Sequence, residues 1–400
     1  MKPKILLVHD HYAHFGGEDA VFGAEKELLT ARGHQISEYV EDNRRIEGMN
    51  QLVLASQTIW SGRTTAGVRE IIRSEHPDVV HCHNTFPLIS PSIYWVCKEE
   101  SVPVVQTLHN YRIMCPAGPF VRQTGLCEEC MGKPFAWPGI VHGCYHDSRG
   151  TTAVIATMLA VHRALGTWRN RVTVYIALSE FARGKFLEGG LPEEKIVVSP
   201  NFVAPDPGMR EGQGNYALYV GRIAPEKGVR TLLKAWERMK IPIPLRILGD
   251  GPLRVELEAE TLRNRLTNVS FKGRLARQEV LAATKGARFV VLPSECYENF
   301  PVVVAEAFAC GVPVVGSALG SVAELVGDGP TGLQFKPEDP DDLAGKVQWA
   351  WEHPKEMEVF GLNARAEYEA KYTADCKYGS LMKIYERAIR EGKQPDKHTV

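Results

Sequence analysis

Two cations and two carboxylates in the second half of the chain are spaced for work on a phosphorylated ligand. In GRIAPEKG, Arg222 and Lys227 lie beside Gly221 and Gly228, between a strand end and a helix start. Two fixed positive charges there can converge on one diphosphate, which a guanidinium and an ammonium bind through charge-assisted hydrogen bonds; the plainer alternative is a pair of surface cations. In LPSECYENFPVVVAEAFACGVPVVGS, seven residues separate Glu298 from Glu306. This stretch reads as a strand over 289–292, a polar loop over 293–300, a helix over 301–310 and, past Gly311 and Pro313, a second strand to Ser317. Pro301 suits a first helical position because its missing N–H would have no intrahelical partner. The amides of Val302 and Val303 then point outward as an anion site. Glu298 and Glu306 could bracket a ligand lying across that helix start. The alternative is a solvent-facing Glu298 and a Glu306 that only suits the helix dipole.

The first half offers three further candidates. A strand over 104–108 delivers His109 to the carboxyl edge of a sheet, where open α/β domains bind ligands, with Asn110, Tyr111 and Arg112 following. A lone histidine can equally be a structural hydrogen-bonder. In HDHYAHFGGEDA, Gly16 and Gly17 close a loop and open a helix, so backbone amides there can approach a bound group. A plain turn is the alternative, and the pattern is not the G-x-G-x-x-G of dinucleotide sites. Cys115, Cys127, Cys130 and Cys144 cluster with a C-x-x-C pair at their centre, enough thiolates for a tetrahedral structural zinc, with His142 and His146 as spare ligands. The other reading is four reduced or partly oxidised thiols.

These residues require a scaffold that brings loops to one edge. Apolar runs at 5–9, 35–40, 78–81 and 104–108 alternate with helical patterns at 17–32 and 68–75, which implies βαβ units and a parallel sheet. Strands at 172–178 and 196–199 flank a helix at 179–188 and close this part. The segment 201–214, with Pro205, Pro207, Gly208, Gly212 and Gly214, reads as a linker. A second series has strands at 217–220, 245–248, 269–271, 289–292, 314–316 and 333–335, then helices to about Glu391 and a polar tail. Between 111 and 149 the rhythm breaks into a Pro-, Gly- and Cys-rich insertion. Asp339-Pro340-Asp341 precedes a helix and reads as a cap.

With 400 residues the chain exceeds one ordinary core, and two domains are expected. Formal net charge is −1, so nothing global points to nucleic acid. No apolar run approaches the roughly 20 residues that span a bilayer. The opening Lys2, Lys4 and 5–8 run is too short for a signal peptide and reads as a buried first strand. A cytoplasmic protein is expected, and nine cysteines then mean free thiols or metal before disulfides. The scattered Cys82, Cys97, Cys296, Cys310 and Cys376 read as core or half-buried residues. A helix over 151–165 precedes Arg169, Arg171, Arg183 and Lys185 and carries Arg163, a combination that fits either an anionic membrane surface or a buried helix beside a solvated face.

Taken in order, HFGGED, TLHNYRIMCP, IALSEFARGKF, SPNFV, YVGRIAPEKG, ILGDGP, FKGR, ENFPVVVAE and AFACGVPVV resemble the retaining glycosyltransferases of family 4, over nearly the whole chain. The Cys-bearing insertion resembles that of one subset of such enzymes. The resemblance implies the GT-B fold, two Rossmann-like α/β domains facing across a cleft. It implies an acceptor-binding domain over 1–203 that includes the insertion 111–149, a donor-binding domain over 204–372, and a C-terminal helix within 373–400 that returns to the first domain. Arg222 and Lys227 would hold the donor pyrophosphate, with Gly221 beside them. Glu306 would bind the ribose hydroxyls, and Glu298 the sugar hydroxyls, with the amides of Asn299, Phe300 and Val302 on sugar and phosphate. Gly16 and Gly17 would approach the phosphates, His109 would face the transferred sugar, and 272–275, including Arg274 and Leu275, would pass the nucleobase. One departure is that ENFP stands where many relatives have glycines, so Pro301 supplies no amide.

The activity so implied is transfer of a hexose from a UDP- or GDP-hexose to a glycan, lipid-linked or small-molecule acceptor, without a metal or other cofactor for transfer. A structural zinc and peripheral contact with the inner face of an anionic membrane are the accessory expectations. Two alternatives share the fold: a sugar-nucleotide epimerase, which brings extra acid/base groups to the site, and a non-catalytic nucleotide-sugar-binding protein. Incubation with UDP- and GDP-sugars separates them, because epimerised nucleotide, slow hydrolysis and binding without turnover are distinct outcomes.

Overall fold

The computed structural model describes residues 2–13, 16–122 and 125–393. His14 and Phe15 of the HFGGED stretch lie outside the described residues, as do Met1, Gln123, Thr124 and the polar tail from Gln394 onward. The first half folds as β1 (Ile5–His11), α1 (Gly17–Ala31), β2 (Ile36–Asp42), α2 (Gln51–Ile59), α3 (Gly62–Glu75), β3 (Val79–Asn84), α4 (Ile93–Glu99) and β4 (Val104–Thr107). Then come β5 (Val121–Arg122), β6 (Gly125–Leu126), α5 (Trp137–His142), α6 (Arg149–Ala164), α7 (Thr167–Asn170), β7 (Val174–Ala177), α8 (Glu180–Glu188) and β8 (Ile196–Val198). The second half runs β9 (Ala217–Val220), α9 (Val229–Arg238), β10 (Leu245–Leu248), α10 (Arg254–Arg263), β11 (Val269–Gly273), α11 (Arg277–Gly286), β12 (Phe289–Leu292), α12 (Val302–Ala309), β13 (Val314–Ser317), α13 (Gly320–Leu325) and β14 (Gly332–Phe335). Three helices follow: α14 (Pro340–Glu352), α15 (Pro354–Lys371) and α16 (Ala374–Gly392).

Two six-stranded sheets result, in the orders β2-β1-β3-β4-β7-β8 and β11-β10-β9-β12-β13-β14, with parallel pairing throughout. The chain divides into two compact units. The described residues within Met1–Phe120, Glu128–Pro200 and Lys377–Val400 form the first, and those within Val121–Cys127 and Asn201–Cys376 the second, so part of the Cys-rich insertion groups with the second unit. Parallel strands are covered on both faces and therefore read as unbroken apolar runs; Ile5 to Val8 and Phe289 to Val291 are almost fully buried. The second unit's core packs Tyr219, Ile247, Phe289 and Val291 against Leu232 and Trp236 of α9 and Leu343 and Val347 of α14.

Four helices, α2, α4, α5 and α7, and the hairpin β5–β6 are absent from the sequence-based expectations. In α4, Ile93, Tyr94, Val96 and Cys97 are all buried, so no polar face marks a helical period. Helix α3 starts at Gly62 rather than 68, because Ser61 Oγ accepts from the Thr64 amide and caps a run of poor helix formers. Pro301 is the N-cap of α12 with extended backbone, not its first helical residue. Asp339 caps α14 by accepting from the amides of Asp341 and Asp342. Among the described residues no helix is long and apolar enough to cross a membrane.

Helix α16 belongs to the first unit from Lys377 onward, and its buried residues, Lys377, Leu381, Ile384, Tyr385 and Ala388, recur at helical spacing. Lys377 Nζ lies 3.0 Å from Glu25 Oε1, and both side chains are essentially inaccessible to water. A buried charge stripped of its partner is strongly unfavourable. Lys377→Met is therefore expected to destabilise the protein by about 3–5 kcal/mol, and Glu25→Gln combined with Lys377→Met to recover most of that loss in urea or thermal unfolding.

Candidate active site

In an open parallel sheet, ligands bind beyond the carboxyl ends of the strands where the strand order reverses. In the second unit that point lies between β9 and β12, because the chain runs outward through β10 and β11 and resumes on the other side of β9. The loop after β9 carries Gly221, Arg222 and Lys227; the loop after β12 carries Glu298. Lys227 Nζ donates to Glu298 Oε1 at 2.6 Å, and Ser294 Oγ donates to the same oxygen at 2.7 Å. Ser321 Oγ donates to the Glu298 carbonyl. Burial alone would raise the Glu298 carboxyl, but the Lys227 ammonium and the two hydrogen bonds outweigh it and hold the group below the usual carboxylate range. Glu298 keeps the Lys227 ammonium protonated in turn, against the opposing effect of burial.

Gly228 makes this pairing possible. It has φ 66°, and a Cβ there would sit 1.8 Å from the Pro293 carbonyl oxygen. The two loops touch backbone to backbone, and only a residue without a side chain fits between them.

The remaining expected residues of this unit are arranged around that contact. Arg222 continues the β9 loop, with its side chain largely in solvent and Nη1 3.8 Å from Glu226. Asn299 and Phe300 are buried between Glu298 and α12, and Phe300 packs edge-on against Tyr372 at 5.6 Å. Val302 is the first residue of α12, at the end where amides lack intrahelical partners. Glu306 lies on α12 with Arg277 Nε at 3.6 Å, a partner that sequence reasoning missed. Burial lifts the Glu306 carboxyl above its ordinary range, and Arg277 offsets this only in part. Arg274 and Leu275 follow β11, two strands from β9 at the sheet edge.

The first unit has its own reversal between β1 and β3. Because side chains alternate along a strand, His9 and His11 share one face of β1, and His81 and His83 share one face of β3. Asp19, at the start of α1, accepts from His9 Nε2 at 2.9 Å, His11 Nδ1 at 3.0 Å and the Gly16 amide at 2.8 Å. The Gly16 amide is thus engaged within the chain, whereas a Cβ at Gly17 would meet open space. Glu18 accepts from Tyr12 Oη and from Asn110 Nδ2, both at 2.9 Å. His109 Nε2 is 3.0 Å from His83 Nδ1, and burial is the main reason its imidazole is pushed down to about 3. Sequence reasoning did not single out His83, Glu18, Asp19 or Glu25. The H-x-H spacing of His81 and His83 on an apolar strand, and a Glu25 on the face that also carries Phe22 and Leu29, were the signals available.

Of the four clustered cysteines, Cys115 and Cys130 are buried and Cys127 and Cys144 half-buried. Among the described residues no three of Cys115, Cys127, Cys130 and Cys144 lie in one group of mutually close metal-ligating atoms. Cys127 groups with the second unit and the other three with the first. Burial raises the Cys115 thiol above its ordinary range. Of the spare ligands, His142 faces Glu129 at 3.5 Å and His146 packs edge-on against Tyr145. The apolar face of α6 is buried through Ile155, Met158 and Leu159. Arg183 pairs with Glu193, Lys185 pairs with Glu128 and Glu188, and Arg171 stacks over Trp95.

Two described families match the chain in succession: "Glycosyltransferase Family 4" over residues 23–207 and "Glycosyl transferases group 1" over residues 206–367. An uncharacterized glycosyltransferase of Methanocaldococcus jannaschii is 29% identical over 96% of this chain and 98% of its own length. A glycogen synthase of Mycobacterium tuberculosis is 32% identical over 44% of each chain. Among solved structures, Anabaena HepE in complex with UDP and glucose superposes with a TM-score of 0.67 at 18% identity, covering 96% of this chain and 99% of that one. Sucrose-phosphate synthase from Thermosynechococcus elongatus gives 0.71 at 17% identity, with coverage of 96% and 99%.

His9, His81 and His83 are buried, and burial is the main cause holding each below the ordinary imidazole value of 6.5. The folded state therefore keeps them neutral while the unfolded chain protonates. Their contribution to stability is complete above the unfolded value and is lost as pH falls below it, by up to about 1.4 kcal/mol per group per pH unit. Thermal unfolding followed from pH 7.5 towards pH 5 is expected to show Tm falling steadily. His83→Asn is expected to flatten that slope.

Proposed function

We propose that the chain, a glycosyltransferase of the GT-B fold, transfers a hexose from a nucleoside diphosphate sugar to a hydroxyl of a glycan, lipid-linked or small-molecule acceptor, with retention at the anomeric carbon. The observation that carries this reading is the Lys227–Glu298 contact of 2.6 Å at the β9/β12 reversal, beside the start of α12. A buried carboxylate held ionised by an ammonium accepts hydrogen bonds from sugar hydroxyls. It cannot act as a proton donor at that position, which the acid/base step of an epimerase would need. The diphosphate would lie against Arg222, Lys227 and the first amides of α12, and the ribose hydroxyls would bind Glu306. The solved complexes of HepE with UDP-glucose and with UDP and glucose are in keeping with a UDP-hexose donor; GDP-hexose is the alternative.

In the transfer, the bond from the anomeric carbon to the phosphate oxygen breaks as a bond from the acceptor oxygen forms on the same face. The acceptor proton passes to the departing phosphate oxygen. The leaving diphosphate gains about one negative charge, which preorganised cations and helix-start amides stabilise without reorganising. His109 is the residue of the first unit assigned to the transferred sugar.

Steady-state kinetics with a UDP-hexose and acceptor test this reading. Arg222→Ala and Lys227→Ala are each expected to lower kcat by roughly 10²-fold or more, the scale for losing one preorganised charge stabiliser. Wild-type turnover in either variant would refute its role. Glu306→Ala is expected to act chiefly on the donor KM, and an unchanged donor KM would remove the ribose assignment. Epimerised nucleotide sugar in the absence of acceptor would overturn transfer as the reaction.

A further inference from the structure

The first unit contains a buried polar chain that ends on His109. His83 Nδ1 and His109 Nε2 face each other at 3.0 Å. On the other side of the same ring, His83 Nε2 faces Glu25 Oε2 at 3.5 Å, and the second oxygen of Glu25 is 3.0 Å from Lys377 Nζ. Glu25 and His83 are buried, and His109 is largely so. From these contacts we propose that Glu25 and His83 are positioning residues, which fix His109 as its Nε2–H tautomer and present His109 Nδ1 as a hydrogen-bond acceptor. The functional part of this inference rests on the reading of His109 as the group assigned to the transferred sugar.

Burial keeps both imidazoles neutral, so each carries one N–H and one lone pair. Where two neutral rings meet nitrogen to nitrogen, one must donate and the other accept. The carboxylate decides which. A lone pair on His83 Nε2 would face the negative oxygen of Glu25, whereas an N–H there is attracted to it. At 3.5 Å the contact is longer than a good hydrogen bond, so Glu25 acts on that proton through its charge. With the proton on Nε2, His83 Nδ1 is the acceptor, His109 Nε2–H donates to it, and the lone pair of His109 remains on Nδ1.

Among the described residues, the neighbouring histidines are engaged elsewhere, although His81 Nδ1 also lies 3.8 Å from Glu25 Oε2. His81 has both nitrogens engaged, Nδ1 with Tyr385 Oη at 2.7 Å and Nε2 with Thr107 Oγ1 at 2.8 Å. On β1, His9 is held by Asp19 and packs edge-on to His83 with ring centroids 6.3 Å apart. Glu25, His81 and His83 are close enough to suggest a metal site, but the Lys377 ammonium already neutralises Glu25 and would repel a cation. An acceptor at His109 Nδ1 suits a ligand group that donates, which a sugar hydroxyl does and an ether or ester oxygen does not.

Histidine side-chain 1H–15N spectra of the full chain at neutral pH, assigned with the His83→Asn and His109→Ala variants, read the tautomers directly. The expected result is a proton on Nε2 of both His83 and His109. A proton on Nδ1 of His109 in the wild-type protein overturns the assignment. Kinetics supply the second readout. His83→Leu is expected to lower kcat about 10-fold or more with the donor KM nearly unchanged, because a misoriented group costs rate in the transition state. His83→Asn, whose carbonyl replaces Nδ1 as acceptor, is expected to restore kcat to within about 3-fold of wild type. Wild-type kcat in His83→Leu overturns the positioning role. Full turnover in His109→Ala overturns the reading of His109 while leaving the tautomer result to stand or fall on the spectra.

Discussion

A buried ammonium–carboxylate contact, Lys227 to Glu298 at 2.6 Å, is the constraint on which the candidate site depends. Each charge would be unfavourable alone in that environment, and each keeps the other ionised. The contact joins the loops after β9 and β12, the neighbouring strands at which the second sheet reverses its order. It exists only because Gly228 lets those loops approach to backbone distance. The same geometry sets the start of α12 beside the pair, so cations, helix-start amides and a carboxylate share one edge of one sheet. That combination suits a sugar joined to a diphosphate: positive groups for the phosphates and a fixed anion for the hydroxyls.

The first unit solves a similar problem with histidines. Neutral imidazoles donate and accept without the desolvation cost of a full charge, so His9, His81 and His83 can be buried at the β1/β3 edge where ionised groups could not be unless paired. Glu25 and Lys377, two full charges in that interior, are paired with each other. Lys377 arrives on α16, from the far end of the sequence. The last helix is thereby part of the electrostatics of the first unit as well as of its packing.

The Cys-rich insertion shows how little sequence spacing says about convergence in space. A C-x-x-C flanked by two further cysteines has the count for tetrahedral zinc, while among the described residues no three of those sulfur atoms lie in one mutually close group. A metal site needs ligands to converge in space, and sequence spacing limits this only over a few residues. Among the basic residues after α6, Arg183 meets Glu193, Lys185 meets Glu128 as well as the local Glu188, and Arg171 stacks over Trp95.

What the chain alone determined is the set of features governed by local rules. Apolar runs of strand length alternating with helical periods imply two parallel α/β sheets, and β9, β10 and β12 fall where those runs stand. Asp339 reads as a cap because an acidic side chain before a proline-led helix accepts from the first amides. The types and loop positions of Arg222, Lys227, Glu298 and His109 follow from turns at strand ends, and the place of Glu306 from the helix that starts after Pro301. Tertiary structure decided what depends on distance across the chain. It paired Lys227 with Glu298, gave Glu306 to Arg277, engaged the Gly16 amide with Asp19, and set Glu25 and Lys377 behind the histidines. These partners are tens to hundreds of residues apart or turn on loop geometry. Local patterns constrain the backbone near each residue, whereas the charge state and orientation of a buried group are set by whichever segments the fold packs against it.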